Sequence, residues 1–87
     1  MTDILLLIQT SDGKEIRLTR TQWKHISYRH PEMAGRFSDI KDAITKPTSI
    51  RQHSNDIVKF YRFIKAKKKY IMVAVKTLDH KGFIVTV

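Results

Sequence analysis

Cysteine is absent from this 87-residue chain, glycine occurs three times, proline twice, and only eight side chains are acidic. Without cysteine there is no disulfide framework and no thiolate metal site. So few glycines cannot build a phosphate-cradling loop of the nucleotide-binding type. The histidines (His25, His30, His53 and His80) and the few carboxylates show no zinc-type spacing, so neither a metal nor a cofactor is expected. No Gly-x-Ser-x-Gly elbow and no cysteine nucleophile are present. The longest apolar run, Ile4 to Ile8, falls short of the roughly 20 residues that span a bilayer. Asp3 stands where a signal peptide would be basic, and no small-residue cleavage site follows. A cytoplasmic location and no membrane partner are therefore expected.

What the chain does have is a hydrophobic share of 41%, enough for one core, and a net charge of +9. A single domain over residues 1–87 follows, with no repeat, linker or low-complexity segment. Residues 1–43 hold seven basic and six acidic side chains, whereas residues 44–87 hold ten basic and two acidic ones, Asp56 and Asp79. A cationic half-domain attracts polyanions, and nucleic acid is the commonest in a cytosol, although charge of this kind also serves solubility.

Ile4 to Ile8 reads as a buried strand and Lys14 to Leu18 as its partner, with Asp12-Gly13 between them suited to a tight primed turn. Thr19 and Gln22 have the spacing of a capping box, with Leu18 and Trp23 placed for a hydrophobic staple. A helix is predicted from Arg20 to about Arg29, ending before Pro31. Trp23, Ile26 and His30 share one stripe of it, which gives His30 a buried, hydrogen-bonded structural role as the alternative to a catalytic one, and His25, Tyr28 and Arg29 share another. Residues 31–37 form a connector, and Ser38 is placed to cap a second helix with Ile40, Ala43 and Ile44 inward, stopped at Pro47.

From Thr48 the hydrophobic period changes to two. Strands are predicted at about 49–53, 57–65, 69–77 and 83–87, with turns at Ser54-Asn55-Asp56, Ala66-Lys67-Lys68 and Asp79-His80-Lys81-Gly82. The expected fold is α+β: an N-terminal β-hairpin, two α-helices, then a four-stranded antiparallel β-meander. On the strand 69–77, Ile71, Val73 and Val75 face the helices while Tyr70, Met72, Ala74 and Lys76 face away. The strand before it is apolar on both sides, so its register stays open.

The polar inventory suits RNA cleavage at the substrate's own 2′-hydroxyl. That reaction requires a base, an acid and cations around the phosphate, but neither a metal nor a protein nucleophile. Histidine serves either proton transfer, and Lys and Arg hold phosphate. The same side chains also describe a plain RNA-binding sheet. Arg51 and His53 share a strand face as a phosphate-binding pair, and Tyr61 can stack on a base or belong to the core. Lys65, Lys67, Lys68 and Lys69 at a hairpin tip are phosphate contacts or edge protection.

The segment Leu18-Thr19-Arg20-Thr21-Gln22-Trp23-Lys24-His25-Ile26, followed by Arg29-His30-Pro31-Glu32, resembles the opening of phage and toxin nucleases. These form the barnase, EndoU, colicin tRNase and RelE-like (BECR) group. Val73-Ala74-Val75-Lys76 and Phe83-Ile84-Val85-Thr86 fit its later strands, and the resemblance extends over residues 14–87. It implies a metal-independent endoribonuclease, often a toxin or effector, cutting tRNA or mRNA and neutralised by an acidic antitoxin or immunity protein. His25 matches the helix histidine of that group, His30 and Glu32 its His-Pro-Glu motif, Lys76 a basic sheet residue, and Thr86 a hydroxyl near the end of the last strand. The expected catalytic set is therefore His25, His30, Lys76 and Thr86. The expected RNA-binding set is Arg29, Arg51, His53, Tyr61, Arg62, Lys67, Lys68 and Lys69. A non-catalytic nucleic-acid-binding module of the same fold, or a basic protein-interaction domain, remains the alternative.

Overall fold

The structure, a computed structural model, describes residues 3–78 and 80–87. In chain order it contains β1 (Ile4–Gln9), β2 (Glu15–Thr19), α1 (Arg20–Arg29), a 3-10 turn (Pro31–Met33) and α2 (Phe37–Thr45). Four strands follow: β3 (Ser49–Gln52), β4 (Ile57–Ile64), β5 (Lys69–Leu78) and β6 (Lys81–Thr86). The class is α+β, but the hairpin and the later strands are not separate. All six strands form one mixed sheet in the order β1-β2-β6-β5-β4-β3.

The join is a parallel pairing of β2 with β6, in which Ile16 faces Gly82. Gly82 makes that approach possible. A Cβ there would lie 2.8 Å from the Lys76 carbonyl oxygen and 3.0 Å from Ile16 Cδ1. Lys81 and Gly82, read from sequence as turn residues, therefore belong to the strand, which starts two residues early. Asp79, assigned to the same turn, lies outside the described residues.

Local signals hold in part. Gly13 has a φ of +92°, whereas Asp12 does not enter the left-handed region, so the two-residue primed turn is not formed. Instead Thr10 and Lys14 close a longer loop by a backbone bond of 2.8 Å, and the Thr10 hydroxyl accepts from the Lys14 N–H and donates to Asp12. Thr19 caps α1, accepting from the Gln22 N–H at 3.2 Å. The Gln22 side chain does not complete the box; it donates to the Val85 carbonyl, which ties α1 to β6. Helix α2 begins at Phe37 without a side-chain cap, so Ser38 lies inside its first turn. Arg36 pairs there with Asp39 at 3.0 Å.

Both helices pack on one face of the sheet, α1 over β2 and β6 and α2 over β4 and β5. Ile26, Ile40, Ala43 and Ile44 from the helices meet Ile8, Ile16, Leu18, Phe60, Val73, Val75 and Ile84 from the strands in one buried cluster. Trp23 stacks on Phe37 at 4.6 Å at its margin. Phe60 stands opposite Val73, which fixes the ambiguous strand β4. Val58, Phe60 and Ile64 face the helices, and Ile57, Lys59, Tyr61 and Phe63 face away. No helix among the described residues is long and apolar enough to cross a membrane.

Candidate functional site

Strand β6 ends at Thr86, opposite Ala74, while β5 continues back to Lys69. Among the described residues, the stretch 69–73 of β5 therefore has no strand on that side. The Thr77 N–H bonds to the Asp56 carbonyl at 2.7 Å, which turns the odd residues of β5 toward β4. By alternation, Tyr70 and Met72 present their N–H and C=O groups to the vacant side. A cleft of about 350 Å³ occupies this notch.

The far wall is the joint between α1 and the 3-10 turn. Pro31 ends the helix, and His30 takes a φ of −132° and ψ of 73° while its N–H still bonds the Ile26 carbonyl at 2.8 Å. Buried Met33 anchors the turn to the core. His30 and Glu32 are thereby brought together, with His30 Nδ1 3.3 Å from Glu32 Oε1. Arg36, Lys67, Lys69 and Tyr70 complete the polar lining, over an apolar floor of Ile64, Ile71 and Met72. The Glu32 carboxyl is held below its ordinary range, first by its own backbone amide. The hydrogen bond and charge of His30 and the charge of Lys69 act in the same direction, against partial desolvation.

Of the expected catalytic residues, only His30 lines this cleft. Its stripe on α1 had suggested a buried structural histidine, yet its side chain keeps 42% of its surface exposed. The reason is that His30 sits past the last helical residue, where the chain leaves the helical angle. His25 is exposed on the body of α1 and does not line the cleft. Lys76 lies on the open sheet face, 3.7 Å from Asp56. Thr86 lies on that face in the row Arg51, Lys59, Ala74, Thr86, beside the notch.

The expected RNA-binding residues divide likewise. Lys67 and Lys69 reach the cleft, whereas Lys68, with a φ of +51°, occupies the turn beyond it. Arg51 and Tyr61 lie on the open face, and Ser49, Arg51, Tyr61 and Tyr70 line a shallow hollow there of about 420 Å³. His53 is exposed just past β3, and Arg29 is exposed at the end of α1. Arg62 is on the other face, where its guanidinium donates to the Lys46 carbonyl at 2.7 Å and stabilises the C-terminus of α2. Arg36 and Tyr70 were absent from the expected set. Arg36 lies in a connector with no periodic signal, while the alternation of β5 had already put Tyr70 on the outer face.

Chemically, the cleft combines a histidine oriented by a carboxylate, a phenol, and cations on both walls. Among the described residues, no group of three or more His, Asp or Glu side chains could hold a metal ion. Compared with protein-family models, curated proteins and solved structures, the chain matches none.

Proposed function

We propose that the chain is a small metal-independent endoribonuclease that cleaves RNA by 2′-hydroxyl transesterification in the notch beside β5. The observation that carries this reading is the convergence of the His30–Glu32 pair with Arg36, Lys67, Lys69 and Tyr70 in one cleft. Ionised Glu32 accepts from Nδ1–H and leaves Nε2 of His30 free as the base. Nε2 takes the 2′-proton, the 2′-oxygen attacks phosphorus, and the bond to the 5′-oxygen breaks. The leaving oxygen takes a proton from the opposite wall, where Lys69 and Tyr70 stand. Lys67 and Arg36 offset the charge that builds on the phosphate. The products are a 2′,3′-cyclic phosphate and a 5′-hydroxyl end.

The test is incubation with tRNA and mRNA in EDTA, with the ends analysed for cyclic phosphate. His30→Ala is expected to lower the rate by about 10²–10⁴-fold, and Glu32→Gln by a smaller factor, with both variants folded. His25→Ala, outside the cleft, is expected to cleave at the wild-type rate. Intact RNA after exposure to the folded wild-type protein would reject the assignment and favour a binding module.

A further inference from the structure

Apart from Tyr70, the face of the sheet that carries no helix has side chains the cleavage chemistry does not use. Three adjacent rows cross its end nearest the notch. Arg51, Lys59, Ala74 and Thr86 form one; Ser49, Tyr61 and Met72 the next; Phe63 and Tyr70 the last. Tyr70 keeps 58% of its surface exposed and Phe63 41%, and their rings meet edge to face at 5.2 Å. Adjoining exposed aromatics mark an interaction surface where scattered single ones do not. Tyr61 lies in the next row and the cations Arg51 and Lys59 in the one after it, while Glu15 and Asp56 lie toward the other end of the sheet, paired with Arg17 and Lys76.

From this arrangement we infer that the open face is a stacking platform for single-stranded nucleic acid, and that the strand passes over Tyr70 into the cleft. Its occupant is an unpaired polynucleotide for two reasons. Aromatic rings on a sheet can take bases only when those bases are unstacked, which a duplex does not allow. The backbone between stacked bases needs cations beside the rings, which Arg51 and Lys59, paired on neighbouring strands, supply. Tyr70 belongs to both the shallow hollow and the cleft, so the two surfaces are continuous. The inference rests on the ribonuclease reading for the direction of the strand and the use made of it.

The experiment measures binding of a 2′-O-methyl oligonucleotide, which cannot be cleaved through its 2′-oxygen, as a single strand and as a duplex of the same length. The single strand is expected to bind more tightly. Tyr61→Leu is expected to weaken it by about fivefold to a hundredfold, whereas Tyr61→Phe keeps the wild-type affinity. Arg51→Ala, at an exposed position, is expected to reduce the salt slope of single-strand binding by about 0.7. Equal affinity for duplex, wild-type binding by folded Tyr61→Leu, or equal displacement by polyglutamate would each overturn the platform. Cleavage of ordinary RNA without single-strand preference would end this inference and leave the ribonuclease standing. Single-strand preference without cleavage would do the reverse.

Discussion

The two faces of the sheet are built from alternate residues of the same strands, yet they differ in almost every property. The helix-covered face is aliphatic, and Ile16, Leu18, Val73 and Val75 are inaccessible to solvent. The outer face places Leu7, Arg17, Phe83, Lys76 and Ile57 side by side, and Leu7 keeps 57% of its surface exposed. One face contributes stability and the other a surface that attracts anions. A period of two separates the roles without any difference in backbone.

Equal truncations on the two faces are expected to differ most in their cost. Leu18→Ala on the covered face is expected to cost about 2–5 kcal/mol, from lost burial and the cavity left behind. Leu7→Ala on the adjoining strand, facing outward, should stay within about 0.5 kcal/mol of wild type. Urea unfolding followed by circular dichroism measures both, and similar losses at the two sites would contradict the assignment of faces.

A smaller effect is expected where the two parts of the sheet join. Gly82→Ala forces a methyl against the Lys76 carbonyl and Ile16, so a loss of about 1–3 kcal/mol is expected. Unchanged stability in the same urea assay would show that β2 and β6 do not pair as closely as described.

The smallest effect belongs to the notch, where the faces meet. Glu32 has a native pKa below its ordinary value of 4.5, so the unfolded chain binds that proton more readily. Its contribution is present above the ordinary value and disappears as pH falls through the lowered native one. The urea midpoint should therefore fall with acid more steeply in wild type than in Glu32→Gln. Parallel acid profiles would mean that the bond of Glu32 to its own backbone amide and its pairing with His30 do not persist in solution.

Much of the fold was legible in the chain. Helix α1 was expected from Arg20 to about Arg29 and spans those residues, because Thr19 caps it and Pro31 stops it. The faces of β5 followed from Ile71, Val73 and Val75. The candidate site was less legible. Periodicity placed His30 in a buried stripe because a helical wheel continues one residue too far. The chain departs from helical geometry at His30, and that departure brings its ring to Glu32. Arg62 stood among the RNA-binding residues while the register of its strand, apolar on both sides, was open; the pairing of Phe60 with Val73 puts it on the helix-covered face beside α2.

The amino-acid sequence set the order of the elements, the buried side of β5 and the concentration of charge in residues 44–87. These follow from alternation, capping and composition, which act over a few residues. The tertiary structure alone decided that β2 runs beside β6 and that β6 ends short of the start of β5. It also decided that Glu32, Arg36 and Lys69 share the resulting gap with His30. Such outcomes depend on register between segments far apart in the chain. A shift of one residue exchanges the faces, and no local pattern records where two distant strands meet.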